Sequence, residues 1–178
     1  MSWFSFAESG QSSLDISRKI KRVIRTDPFF IRLFKKYDVP IDKVNDLVFK
    51  IKDLRGRHAQ SNSKEIHLNS KLFEDGNFIK DRLHFVVHEL IHWLTRQREK
   101  NYYFSDPEEI EAFTISMAYE IKNGKNKKQI FNTFFPIIKA HFENQSNAIK
   151  LFNAFYDTAV LNSQDYCKGR KENESEKN

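Results

Sequence analysis

One cysteine, Cys167, is all that this chain of 178 residues contains, so no internal disulfide can form. That excludes a crosslinked framework and points to a reducing compartment. No apolar run approaches the ~18 residues that a membrane-spanning helix needs. Trp3, Phe4 and Phe6 make the N-terminus apolar, but the run is short and no basic stretch precedes it. That is not the pattern of a secretory signal. The expectation is a cytoplasmic protein that makes no use of a membrane. No internal repeat is visible, and no histidine lies between His92 and His141.

What the chain does have is phenylalanine. Hydrophobic residues make up 39% and aromatics 14%, with 17 Phe, which is enough apolar surface to build a core without staples. The length suits one domain, predicted over residues 1–163, with a disordered polar tail at 164–178. Cys167 falls in that tail and reads as a plain free thiol. The net charge is +6, and Arg18, Lys19, Lys21, Arg22 and Arg25 form a dense basic cluster. A solvated helix face explains such a cluster, and contact with nucleic acid or an acidic partner is the alternative. No nucleic-acid-binding signature accompanies it, so the solvated face is preferred.

The pattern of residues predicts an α+β chain, mostly helical. Ser12 to Asp15 offers a helix start, and Ile16, Ile20, Val23 and Ile24 recur at helical spacing to about Arg25. Asp27-Pro28 starts a second helix with Phe29, Phe30, Leu33, Phe34 and Tyr37 on its apolar face, closed by Val39-Pro40. From Asp46 to Leu54 the period changes to two, with Leu47, Phe49 and Ile51 alternating with Val48, Lys50 and Lys52. Gly56 and Gln60 to Ser63 read as turn. Glu65 to Asn69 reads as a second strand, with His67 out of phase with Ile66 and Leu68. The two strands predict a small antiparallel sheet whose outer edge could pair with an extended peptide. Helices are predicted over 77–98, with Leu83, Val87, Leu90, Ile91 and Leu94 as the apolar stripe, and from Asp106-Pro107 to Lys122, ended by Gly124. Two more follow near 127–141, where Pro136 should kink or break the helix, and near 144–161.

The chemistry concentrates at His88-Glu89-Leu90-Ile91-His92. Positions four apart lie on one helix face about one turn apart, so His88 and His92 can aim at one metal ion. Such nitrogen ligands suit Zn²⁺, and Glu89, one step round the helix, suits the work of a general base on a nearby water. Two histidines need a third protein ligand. His84 cannot serve on a regular helix, because its α-carbon lies about 12 Å along the axis from that of His92. Thr95 and Arg98 stand where a longer zinc-binding motif would continue. The remaining candidates are Glu108, Glu109 and Glu111 at the start of the next helix. Glu109 is preferred, because Ala112 and Ser116 on its side would let another helix come close. Asp106 and Glu109 also spell a capping box, so helix initiation alone accounts for one or two of these carboxylates.

H-E-L-I-H followed by E-x-x-A on the next helix resembles the minimal gluzincins, zinc metallopeptidases with two His and one Glu as ligands. The likeness is to the ImmA/IrrE group and to small phage or bacterial metallopeptidases, and it covers about residues 45–120. Gly56-Arg57-His58-Ala59 with Glu65-Ile66-His67-Leu68-Asn69 is similar to the strand pair that precedes the motif in SprT-like and ImmA-like proteins. The resemblance implies a zincin-like fold, a bound Zn²⁺ and a protein or peptide substrate. Two departures stand out: Phe113 replaces the Asp or Asn that such chains place there, and the third histidine of SprT-like proteins is missing. The expected function is hydrolysis of peptide bonds, with Tyr102, Tyr103, His67 and His84 as candidate donors to the oxyanion. The alternatives are a zincin-like regulator that binds protein or DNA through the basic N-terminal helix, and a helical protein in which the motif has no chemistry.

Overall fold

Isoleucines at every fourth position determine how the chain begins to fold. The structure, a computed structural model, describes residues 13–62, 64–73, 78–95 and 106–167. Helix α1 (Ser13–Thr26) turns Ile16, Ile20 and Ile24 inward. Helix α2 (Pro28–Lys36) starts as its sequence predicts: Asp27 accepts a hydrogen bond from the Phe29 backbone N–H at 2.8 Å, and Pro28 occupies the first turn, where no intrahelical donor is lost. Phe29, Phe30, Leu33 and Phe34 are almost wholly enclosed. Each such side chain contributes roughly 1.5–3 kcal/mol relative to exposure, so this nine-residue helix is held by burial and not by its own length. Trp93 belongs to the same core, its ring 6.2 Å from that of Phe34.

A 3-10 turn at Ile41–Asn45 leads into strand β1 (Val48–Lys52). The alternation holds: Phe49 is buried and Ile51 half-buried, while Val48, Lys50 and Lys52 are exposed. The predicted antiparallel pairing with β3 (Glu65–Asn69) is corrected, because β1 runs parallel to β3. A third strand, β2 (Ala59–Ser61), lies where the sequence reads as turn, and it pairs antiparallel with β3. The sheet is therefore mixed, in the order β1-β3-β2. The reason is local. Asn62 accepts from the backbone N–H groups of Lys64 and Glu65 at 2.9 and 2.8 Å, which reverses the chain tightly and commits β3 to β2. Strand β1 takes the other side of β3, where Phe49 sits opposite Ile66 and Ile51 opposite Leu68, so the apolar residues share one face.

The opposite face carries a row of polar side chains. Lys50, His67 and Gln60 lie across the three strands in register, and Glu65 stands two residues before His67. Glu65 meets Lys50 Nζ at 2.5 Å and His67 Nε2 at 2.7 Å. The hydrogen bond from Lys50, then that from His67, holds the Glu65 carboxyl down at about 2 against an ordinary 4.5. A lowered folded-state value means that the ionised carboxylate stabilises the fold fully above about pH 4.5, and that this contribution fades as pH falls toward 2. Glu65→Gln should therefore flatten the pH dependence of unfolding free energy across that interval, measured by denaturant titration at a series of pH values. An unchanged slope would show that Glu65 gains nothing from its neighbours.

Helix α3 (Phe78–Leu94) packs on β2 and β3 and buries Leu83, Val87, Leu90, Ile91 and Leu94, the stripe that its spacing predicts. The ends predicted for it, at Asn77 and Arg98, lie outside the described residues.

The chain divides into two compact units, residues 1–99 and 100–178. The second unit is helical. Helix α4 (Pro107–Lys122) is capped by Asp106, which accepts from the Glu108 backbone N–H at 2.9 Å, and Gly124 follows its end at φ 87°, a conformation that glycine adopts without strain. Helix α5 (Lys127–Lys139) opens with a reciprocal capping box between Asn126 and Gln129. Pro136 does not break it, and the helix continues three residues beyond. Pro136 removes the donor to the Asn132 carbonyl, but both residues face solvent, where water replaces the lost bond, while Phe134, Phe135 and Ile138 anchor the buried side. Helix α6 (Gln145–Cys167) passes the predicted end at Leu161 and takes in residues 164–167, which the sequence assigns to the polar tail. Burial of Ser163 and Tyr166 explains the extension. Residues 168–178 lie outside the described residues. Phe113, Phe134, Phe135, Phe152 and Phe155 form the aromatic core of this unit.

The described chain is thus mostly helical with one small mixed sheet, an α+β arrangement. Among the described residues no helix is long and apolar enough to cross a membrane.

Candidate metal centre

Helix α3 presents His84, His88 and His92 at successive turns, with Glu89 beside them. The helix is regular from Phe78 to Leu94, so His88 and His92 share a face as their spacing requires. Their Nε2 atoms are 3.2 Å apart, and the two rings meet nearly edge-on, with centroids 4.9 Å apart and planes at 77°. Two imidazoles in this relation can share one N–H···N hydrogen bond. They can also grip one ion: a tetrahedral Zn²⁺ about 2.0–2.1 Å from each nitrogen would hold them roughly 3.3–3.4 Å apart. The observed separation accommodates either arrangement, so the third residue decides what the pair can do.

That residue is Glu109. One ligand atom from each of His88, His92 and Glu109 lies within 4.8 Å of the others, so these three residues form a group that could hold a metal ion. His92 is 2% exposed, Glu109 1%, and His88 is half-buried. A carboxylate so enclosed is costly unless hydrogen bonds or a cation compensate it. Two imidazole nitrogens and one carboxylate oxygen are a donor set that fits Zn²⁺ and leaves a fourth position for water or substrate.

The other carboxylates of α4 are not in the group. Glu111 is close enough to Tyr166 on α6 to join burial, the larger cause, in pushing that phenol above its ordinary range. Glu108 is half-buried and supplies the backbone N–H that Asp106 caps. Ala112 and Ser116 are fully enclosed, and the Ser116 hydroxyl donates to the Ala112 carbonyl of its own helix at 2.6 Å.

Glu89 is 9% exposed, buried on α3 directly after the first histidine of the group. Phe113 packs in the core of the second unit, its ring 6.0 Å from that of Phe155 and 6.4 Å from that of Phe134. His67 is spent on the sheet. Its Nδ1 is 3.1 Å from Gln60 Nε2 and its Nε2 is 2.7 Å from Glu65, so the network makes Nδ1 the acceptor and leaves no N–H for a substrate. His84 is 2% exposed, with its ring 4.2 Å from that of Phe85. Tyr102 and Tyr103 lie outside the described residues.

One contact beside the motif is not part of the sequence reading. The loop between β1 and β2 lays His58 on Phe85, ring on ring at 4.5 Å, one turn before His88. Burial, then the positive charge of Arg82 and the proximity of His84, lowers the His58 value below 6.5, so the ring favours its neutral form. No fixed spacing links position 58 to position 85, and no local pattern could have announced the contact.

No protein-family model, curated protein or solved structure matches this chain.

Proposed function

We propose that the chain is a zinc-dependent metallopeptidase, with His88, His92 and Glu109 as the metal ligands and Glu89 as the general base. The observation that carries this reading is the approach of two imidazole nitrogens and a carboxylate oxygen to within 4.8 Å of one another. Zn²⁺ bound there supplies a Lewis acid that polarises a carbonyl and makes water easier to deprotonate near neutral pH. His88 and His92 would offer ring nitrogens to the ion, and the enclosed Glu109 a carboxylate oxygen. Glu89 takes the proton of the attacking water on its carboxylate and hands it to the departing amide nitrogen, so it ends each turnover as it began. Its 9% exposure limits competition from bulk water for that proton. The substrate in this reading is a protein or peptide, and a reducing, cytoplasmic setting is the one we propose for a chain with a single cysteine.

The direct test is metal content. Protein purified without added zinc should carry about one equivalent per chain, measured by plasma emission spectrometry, as one closed set of three ligands predicts. Glu109→Gln should lose most of it, and Glu108→Gln and Glu111→Gln should keep it. Full zinc in Glu109→Gln with loss in either other variant would move the third ligand. A native chain that neither holds zinc nor takes it up on dialysis would end the metallopeptidase reading.

A further inference from the structure

We infer, resting on the metallopeptidase reading, that His58 is a substrate-binding residue whose ring nitrogens hydrogen-bond the peptide main chain one or two residues from the bond that is cut. Phe85, on which His58 lies, is half-buried on α3. At 100° per residue, Phe85, His88, Glu89 and His92 fall within an arc of about 100°. The α-carbon of Phe85 precedes that of His88 by about 4.5 Å along the axis, and that of Glu89 by about 6 Å. His58 therefore stands on the side of α3 that carries the proposed ligands and base, one turn away. An extended peptide advances about 3.4 Å per residue, so a chain whose reacting bond lies at Glu89 passes His58 one or two residues further on.

His58 is held in place from behind. Its carbonyl accepts from the backbone N–H of Asn69 at 2.9 Å, and the Asn69 side chain donates to the Arg57 carbonyl at 2.6 Å. Asn69 is itself buried, so two bonds to one fixed residue set the backbone just before β2. A group positioned in this way loses little freedom when a ligand arrives. The ring is positioned as well. Stacking at 24° spends one face of the imidazole on Phe85, whereas the two nitrogens lie at the ring edge. The residue is exposed, and neither nitrogen has a hydrogen-bond partner among the described residues. His67 is the contrast, with both of its nitrogens engaged by the sheet. The neutral form that burial and Arg82 favour at His58 carries one N–H and one bare nitrogen. That pair complements the carbonyl and amide of a peptide, and it offers no charge with which to select an acidic side chain.

Two variants separate binding from packing. His58→Phe keeps a ring on Phe85 and removes both nitrogens, and His58→Gln gives up the ring and keeps a donor and an acceptor. The probe is fluorescein-labelled casein, an unfolded protein. With the zinc-loaded chain, His58→Phe should raise KM for casein about three- to tenfold, the effect of one lost hydrogen bond, and leave kcat within about twofold. In a Glu89→Gln chain, where cleavage is stopped, fluorescence anisotropy should show the same loss of affinity. His58→Gln should lie closer to the native chain than His58→Phe in both measurements, and zinc content should be unmoved in either. The proposal is overturned if His58→Phe binds casein as tightly as the native chain, if kcat falls while KM stays, or if the chain binds no casein. A native chain that holds zinc and binds casein without cutting it would sink the peptidase reading, whereas equal affinities of the native and His58→Phe chains would sink the role of His58.

Discussion

Glu89→Gln should keep its zinc and lose about 10²–10⁴ in the rate at which the chain cleaves an unfolded protein, the range expected when a positioned proton carrier is removed. Glutamine has the same shape and leaves His88, His92 and Glu109 undisturbed, but its amide cannot accept the proton of the attacking water. His88→Ala should lose metal and cleavage together, because it removes one of only three donors in the group. The contrast separates two readings that share the same ion. A native chain that holds zinc yet cleaves nothing would be a binding protein on a zincin-like scaffold, and Glu89 would then be an ordinary buried carboxylate. Cleavage at an unchanged rate in Glu89→Gln, with zinc retained, would remove Glu89 from the chemistry altogether.

Phe152→Ala should cost about 3–5 kcal/mol of stability, the loss expected when a large ring leaves a packed core. Phe152 is 1% exposed and meets Phe131 edge-on at 4.9 Å and Phe135 at 6.4 Å, so its removal empties the centre of an aromatic cluster. Leu161→Ala, on the same helix but 65% exposed, should stay within about 0.5 kcal/mol of the native chain. Denaturant titration followed by circular dichroism measures both. Equal effects from the two substitutions would mean that the rings around Phe152 close over the space they are left with.

Features set by neighbouring residues were legible in the sequence, and those set by distant ones were not. Asp106-Pro107 and Gly124 announced both ends of α4, because a cap, a first-turn proline and a positive φ are decided within a few residues. The isoleucine spacing of α1 and the alternation in β1 were legible for the same reason. Strand β2 was hidden because three residues, Ala59 to Ser61, are too few to show a period, and its pairing depends on partners in β3. The direction of β1 against β3 was equally out of reach, since only the tight turn at Asn62 leaves that side of β3 open. At Pro136 and at residues 164–167 the local signal was outweighed by burial of Phe134, Ile138 and Tyr166. The approach of His88 and His92 to one another was legible because it follows helical spacing. His88 and His92 needed only the pitch of one helix, whereas Glu109 had to be weighed against Glu108 and Glu111, because no local pattern singles out one carboxylate of three at a helix start.

The order of the sheet leaves β1 paired on one side only among the described residues. A free strand border is a template on which a second copy of the chain can grow, the first step toward a fibrous aggregate. Along β1 the side chains of Val48, Lys50 and Lys52 are exposed, and lysine on a border strand is one of the devices that discourage such growth.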